Sequence, residues 1–225
     1  MSDKPHQNDW RAKKNLDGYT HSFVKSFYIS AQQFLLVAGG VDTGSTIQST
    51  VHVVSLSGSA ATCNATADLT APSMLATLIV SGQERLPTLC GGQATYTPPT
   101  FDTCWAYIKA TNSWNQLTSS MSAPRVYHAV APLSEEKFML TGGGGGFMSK
   151  QDTSEYFDGS GFDATVSISP LPVGLDSQCM ARIEALDQVA LVGGTDGTAN
   201  LRSFYVYDIL YNDWSARPDL SLIHI

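Results

Sequence analysis

Hydrophobic and polar positions along the chain alternate in short runs, with almost no 3.6-residue pattern. An apolar run closed by a glycine doublet occurs four times: FLLVAGG, LPTLCGG, KFMLTGG and QVALVGG. The doublets are Gly39-Gly40, Gly91-Gly92, Gly142-Gly143 and Gly193-Gly194, and their starts are 52, 51 and 51 residues apart. After each doublet comes a polar loop, then an alternating strand (TVHVVSLS, CWAYIKAT, SEYFDGSG, FYVYDILY), then a turn. Two further apolar segments lead to the next doublet, as in LTSSMSAPRVYHAVAPLSEEKFMLTGG, where Ala123-Pro124 marks the break. Four short strands in each period of about 51 residues predict one blade of a β-propeller. The chain is therefore expected to be all-β, in four-stranded antiparallel blades.

A second motif keeps the same beat. Asn-x-Trp occurs as Asn8-Asp9-Trp10, Asn112-Ser113-Trp114 and Asn212-Asp213-Trp214, so the tryptophans are 104 and 100 residues apart, two periods each. In the intervening repeats the equivalent places fall near Thr62-Cys63 and Phe162. The strand–Gly-Gly ending, the aromatic strand with Tyr207-Asp208 and the tryptophan beyond it resemble kelch repeats. So does the run Met121, Pro124, Arg125, His128. WD repeats have a shorter period, and no Trp-Asp pair occurs here.

The resemblance spans about residues 8–220 and implies a single kelch-type propeller domain of about four blades plus partial blades. It also implies that Trp10, Trp114, Trp214, Tyr107 and Tyr207 pack between neighbouring blades rather than bind a ligand. The doublets have a structural explanation, since glycine supplies positive φ and room for a close neighbour. Closed propellers have typically four to eight blades, and kelch propellers usually six or seven, so the domain is expected to be incomplete at both ends. The final SLIHI, residues 221–225, resembles translated sequencing-adapter DNA and is expected to be a non-native tail.

Charge and cysteines refine the picture. Thirteen basic against twenty acidic residues give a net charge of −7, and only Arg11, Lys13 and Lys14 approach a basic run, so nucleic acid is not an expected partner. The longest apolar-plus-glycine stretch, FLLVAGGV, falls far short of a membrane span. Cys90 precedes a doublet and Cys104 opens the strand after the loop, so the two face each other across one hairpin, where a disulfide is plausible. Asn64-Ala65-Thr66 is an N-glycosylation sequon, expected in the turn after a third strand. Cys63, Cys90 and Cys104 around one CGG also resemble the pattern of secreted invertebrate kelch-type proteins. Together these features lean towards an extracellular or secretory location, with the cytoplasm as the alternative.

The stretch FMLTGGGGGFMSK invites a phosphate-loop reading that its residues do not sustain. Lys150 follows Ser149 and precedes Gln151, which breaks the Walker pattern, and Phe147 occupies the last glycine position of G-x-G-x-x-G. Gly142-Gly143 is the repeat doublet, and Gly144 to Gly146 are expected only to lengthen its loop. The histidines are scattered, and neither G-x-S-x-G nor H-E-x-x-H occurs. Glu135-Glu136 lies between predicted strands, where solvation explains it.

The expectation is a non-catalytic module, without a cofactor or metal, that binds a protein or peptide through its face loops. Those loops are about Val41–Ser49, Gln93–Thr103, Gly144–Asp152 and Thr195–Arg202. Two other readings stay open on fold analogy. One is the substrate-recognition propeller of a ubiquitin-ligase adaptor whose BTB region lies upstream. The other is a fragment of a galactose-oxidase-like copper enzyme.

Overall fold

The computed structural model describes residues 25–29, 34–55, 62–71, 73–81, 86–97, 99–108, 110–145 and 149–221. Among the described residues, fifteen strands form four antiparallel sheets, each a simple meander in chain order. The first sheet comprises β1 (Lys25–Ile29), β2 (Phe34–Ala38), β3 (Val51–Ser55) and β4 (Thr62–Ala65). The second comprises β5 (Thr77–Ser81), β6 (Leu86–Cys90), β7 (Cys104–Ile108) and β8 (Ser113–Gln116). The third has β9 (Ala129–Pro132), β10 (Phe138–Thr141) and β11 (Ser154–Phe157). The fourth has β12 (Cys179–Ile183), β13 (Gln188–Val192), β14 (Phe204–Asp208) and β15 (Asp213–Arg217). One 3-10 turn, Glu184–Leu186, separates β12 from β13. No helix among the described residues is long and apolar enough to cross a membrane.

The third sheet departs from the four-strand expectation. Its outer position holds a single bridge, Phe157 with Phe162, instead of a strand. The cause is local: Asp158 Oδ1 accepts from the Ser160 and Gly161 amides and the Ser160 hydroxyl, curling the chain into a tight turn. Phe162 nevertheless takes the tryptophan's place, its ring 5.2 Å from Phe157.

Period-2 alternation sends successive residues to opposite faces, so each sheet has one apolar face for either neighbour. Ala38 and Val51 of the first sheet meet Leu78, Leu89 and Trp114 of the second. Ile79, Cys90 and Cys104 on the second sheet's other face meet Phe138, Leu140 and Phe157. Ala131 and Met139 meet Val189, Leu191, Tyr207 and Trp214. The first strands β1, β5, β9 and β12 neighbour one another in that order.

Two sets of hydrogen bonds fix each junction. At the doublets, Gly40 N–H donates to Ser73 O at 2.8 Å, Gly92 N–H to Arg125 O at 2.9 Å and Gly143 N–H to Leu175 O at 2.7 Å. Each acceptor lies just ahead of the next sheet's first strand. A Cβ on the first glycine of these doublets would stand 2.2, 2.4 and 2.5 Å from the same three carbonyls, so the close approach requires glycine. On the outer strands, Trp114 Nε1 donates to Ala67 O at 2.9 Å and Trp214 Nε1 to Ser169 O at 3.0 Å. Asn112 and Asn212 hold left-handed turns at φ +47° and +51°. Their Oδ1 atoms accept from the Ala67 and Ser169 amides and from Tyr107 and Tyr207. The tyrosine and tryptophan rings pack 5.5 and 5.1 Å apart. Asn-x-Trp is thus a clamp on the linker that enters its own sheet. The first copy, Trp10, lies outside the described residues, as do residues 222–225.

Cys90 and Cys104 are opposed in register and form a disulfide. Asn64 lies within β4, opposite Val53, and not in a turn, because the outer strand begins at Thr62, before the sequon.

Two stability measurements test these junctions. Gly91→Ala, at φ +66° and facing Arg125 O, is expected to lower the unfolding free energy by about 2–5 kcal/mol, combining left-handed strain with overpacking. Gly44→Ala, in an exposed turn, should stay within about 0.5 kcal/mol in the same urea titration. Replacing Cys90 and Cys104 together by alanine is expected to cost about 3 kcal/mol, as for a closed loop of similar length (sequence separation 14). Non-reducing peptide mapping should recover the linked pair, and two free thiols there would disprove the bond.

Candidate binding face

Each doublet opens into a loop at one end of its sheet, and the segment entering that sheet's first strand runs beside it. The two are stitched by reciprocal backbone bonds: Met74 with Gln93, Val126 with Gly144, and Asp176 with Thr195. These three loop origins, and Val41 in the first repeat, are bridged across their own loops: Val41 to Ile47, Gln93 to Thr100, Gly144 to Lys150 and Thr195 to Asn200. Gly144 therefore does more than lengthen the pentaglycine loop. It is buried and paired on both sides, and the elaboration begins at Gly145.

Further in, Leu75, Tyr127 and Ser177 occupy equivalent positions at φ +61°, +56° and +57°. Non-glycine residues at positive φ are uncommon and mark a constrained site. Tyr127 N–H donates to Leu75 O at 3.2 Å and Ser177 N–H to Tyr127 O at 3.0 Å, a backbone thread running from sheet to sheet.

The loop tips carry their own internal order. Asp42 Oδ1 accepts from the Gly44 and Thr46 amides while Gln48 Nε2 donates to Oδ2. Asp196 Oδ1 accepts from Thr198 N–H and Oγ1–H and from Ala199 N–H, at 2.7 to 2.9 Å. The Thr198 hydroxyl, followed by the two amides, holds the Asp196 carboxyl down to about 2. Tyr96, 47% exposed, projects from the loop of the second repeat, and Thr100 Oγ1 reaches Gly145 O of the adjacent loop at 3.4 Å.

Beneath the loops lie charged pairs whose partners the sequence pattern did not single out. Arg125 is fully buried: Nη1 donates to Gly142 O at 2.7 Å, Nη2 to Thr153 Oγ1 and Glu155 Oε1, each at 2.6 Å, and Nε to Glu155 Oε1 at 3.0 Å. Burial lowers its pKa and Glu155 opposes that shift. Lys150 forms a buried ion pair with Asp176. Burial, then the Asp176 charge, raises the Tyr127 hydroxyl above its ordinary value. Spacing alone gave no signal for these pairs, because the partners come from different elements.

The predicted site residues divide cleanly. All eight doublet glycines have positive φ. Tyr107, Trp114, Tyr207 and Trp214 lie in the sheet junctions and not on the loop face. His128 is buried beside the second and third doublets, and Glu135 and Glu136 are exposed. Among the described residues no group of three or more His, Cys, Asp or Glu is placed to hold a metal ion. Neither a protein-family model nor a curated protein matches the chain.

The Asp196 turn yields a pH prediction. Its folded pKa is depressed from 3.8 to about 2, so the turn's contribution is complete above 3.8 and is lost as pH falls through about 2. Carboxyl NMR titration should place the Asp196 midpoint near 2, and Thr198→Val should move it towards 3.8. An unchanged midpoint in that variant would remove the hydroxyl as the cause.

Proposed function

We propose that the chain is a kelch-type β-propeller and a non-catalytic interaction module, binding a protein or peptide through the loops at 41–49, 93–103, 144–152 and 195–202. The observation that carries this reading is the arrangement of the doublets. First strands of successive sheets are neighbours in chain order, and every doublet opens at the same end of its sheet. Four loops of unlike sequence therefore converge on one surface above a scaffold stitched largely by backbone. Loops held by a rigid scaffold are where binding residues concentrate.

The exposed side chains there suit a polypeptide ligand. Tyr96 offers an aromatic anchor of the kind that dominates protein interfaces, flanked by exposed Thr95 and Thr97. The chain's net charge of −7 disfavours nucleic acid. The Cys90–Cys104 disulfide supports an oxidising, extracellular or secretory setting.

Panning a displayed random-peptide library on the purified chain tests the reading without a known ligand. Recovered peptides should lose roughly tenfold or more in affinity on Tyr96→Ala, a loss of at least about 1.4 kcal/mol. The variant's thermal unfolding should be unchanged. Binders indifferent to Tyr96 and to substitutions at Asp42 and Asp196 would sink it.

A further inference from the structure

The linker leaving the first sheet carries a polar side chain where its counterparts are apolar. Thr66 N–H donates to Val51 O as Leu117 N–H donates to Cys104 O, at 3.1 and 2.9 Å. Thr66 also precedes the carbonyl that Trp114 holds, as Ile168 precedes the carbonyl that Trp214 holds. Leu117 packs against one junction core and Ile168 is buried in another. The Thr66 hydroxyl instead donates to Asn112 Oδ1 at 2.7 Å and lies 3.0 Å from the Tyr107 hydroxyl. The clamp does not require it, because Tyr207, Asn212 and Trp214 close the same arrangement over Ile168. What does require a hydroxyl at this position is the sequon Asn64-Ala65-Thr66.

We propose that Asn64 is glycosylated before the second repeat docks on the first, the Thr66 hydroxyl serving the transferase first and the Asn112 clamp afterwards. In the transfer, the Asn64 amide nitrogen attacks the anomeric carbon of a polyisoprenyl-diphosphate oligosaccharide. A C–N bond forms, the C–O bond to the diphosphate breaks with its electron pair, and the amide proton passes to a base of the transferase. The folded chain is closed to this step. Asn64 is paired with Val53 in β4, the Thr66 amide is bonded to Val51, and Asn112 holds both the Thr66 hydroxyl and the Ala67 amide. During synthesis the order is favourable. Asn112 follows Thr66 by 46 residues, so at roughly 5–20 residues per second the hydroxyl is free for about 2–9 s. The glycan does not obstruct the finished junction, since Asn115 and Ser215, the residues equivalent to Asn64, are exposed. It would also shield β4, the last strand of its sheet, against edge pairing. The inference rests on the secretory setting proposed above and is independent of the ligand reading.

A refolding competition tests it. The 225-residue chain, unfolded in urea with its disulfide intact, is diluted into folding buffer. Purified oligosaccharyltransferase and a polyisoprenyl-diphosphate oligosaccharide are added after increasing delays, and mass mapping of the Asn64 peptide reads occupancy. Occupancy should fall with the same time constant as the Ala67 amide gains protection from hydrogen exchange. The native chain should accept roughly tenfold more slowly or worse, since acceptance then tracks the open population. Asn112→Gly keeps the left-handed turn (φ +47°), removes Oδ1 and should restore acceptance; Tyr107→Phe is the milder variant, and melting curves identify which is folded. Thr66→Val, which supplies an apolar side chain like Leu117 and Ile168, should abolish modification without lowering the melting temperature by more than a few degrees. No modification at any delay, native acceptance at the unfolded rate, or a folded clamp variant no better than the parent each overturn the proposal. In the chain isolated from its own cells, a bare Asn64 beside a linked Cys90–Cys104 overturns it while leaving the secretory setting intact. A bare Asn64 with both thiols free overturns the setting, and the proposal with it.

Discussion

One backbone hydrogen bond, from the second glycine of a doublet to a carbonyl four residues ahead of the next sheet's first strand, sets the spacing on which the other contacts depend. Both of its partners are main-chain groups, so it constrains no side chain except by exclusion. The first glycine must lack a Cβ because the incoming carbonyl occupies that volume. The second faces the entry segment of its own sheet, where a Cβ on Gly92, Gly143 or Gly194 would come 2.7 to 2.8 Å from the Met74, Val126 or Asp176 carbonyl oxygen. The doublet is therefore two separate steric requirements, one for each neighbouring segment. This accounts for the pairing of glycines at the second and third doublets, where a single turn glycine would satisfy only one of them.

With the spacing fixed by backbone, the chemistry around each junction is free to differ. At the first junction Ile47 and Met74 belong to one apolar cluster. The positions equivalent by their bridges at the last junction are Lys150 and Asp176, a buried ion pair. Such a pair typically gains little net stability over an apolar one, because desolvation offsets the attraction, but losing either partner leaves a costly buried charge. Arg125 adds a further case. Its carbonyl serves the doublet behind it while its guanidinium ties down Gly142, Thr153 and Glu155 ahead. Mismatched junctions would strand a charge against an apolar surface, so these differences favour assembling the repeats in chain order.

The all-β succession of antiparallel sheets was legible because its determinants recur: four doublets at near-constant spacing and an Asn-x-Trp at every second period. The same recurrence marked the asparagine but not its role, which the structure supplies: Asn tolerates the left-handed turn and its Oδ1 accepts a bond from the linker that enters its own sheet. Arg125 with Glu155 and Lys150 with Asp176 were not legible, since each pair occurs once and joins segments brought together only by folding. Asn64 was misplaced by a strand boundary, the least reliable feature of a periodic reading. The third sheet's missing outer strand had a local cue in Asp158-Gly159-Ser160-Gly161, a turn sequence written across the position where the strand should run.

The same division bears on what the loop face can do. Its scaffold contacts are mostly main-chain bonds and buried rings, so substitutions at the tips touch few of them. Tyr96 and the exposed stretch at Gly197–Asn200 can therefore diverge without weakening a junction. The pentaglycine loop illustrates the limit. Gly144 belongs to the scaffold by its bonds to Val126, while Gly145 begins the part free to vary. The Asp42 and Asp196 turns, by contrast, are ordered by their own side-chain bonds.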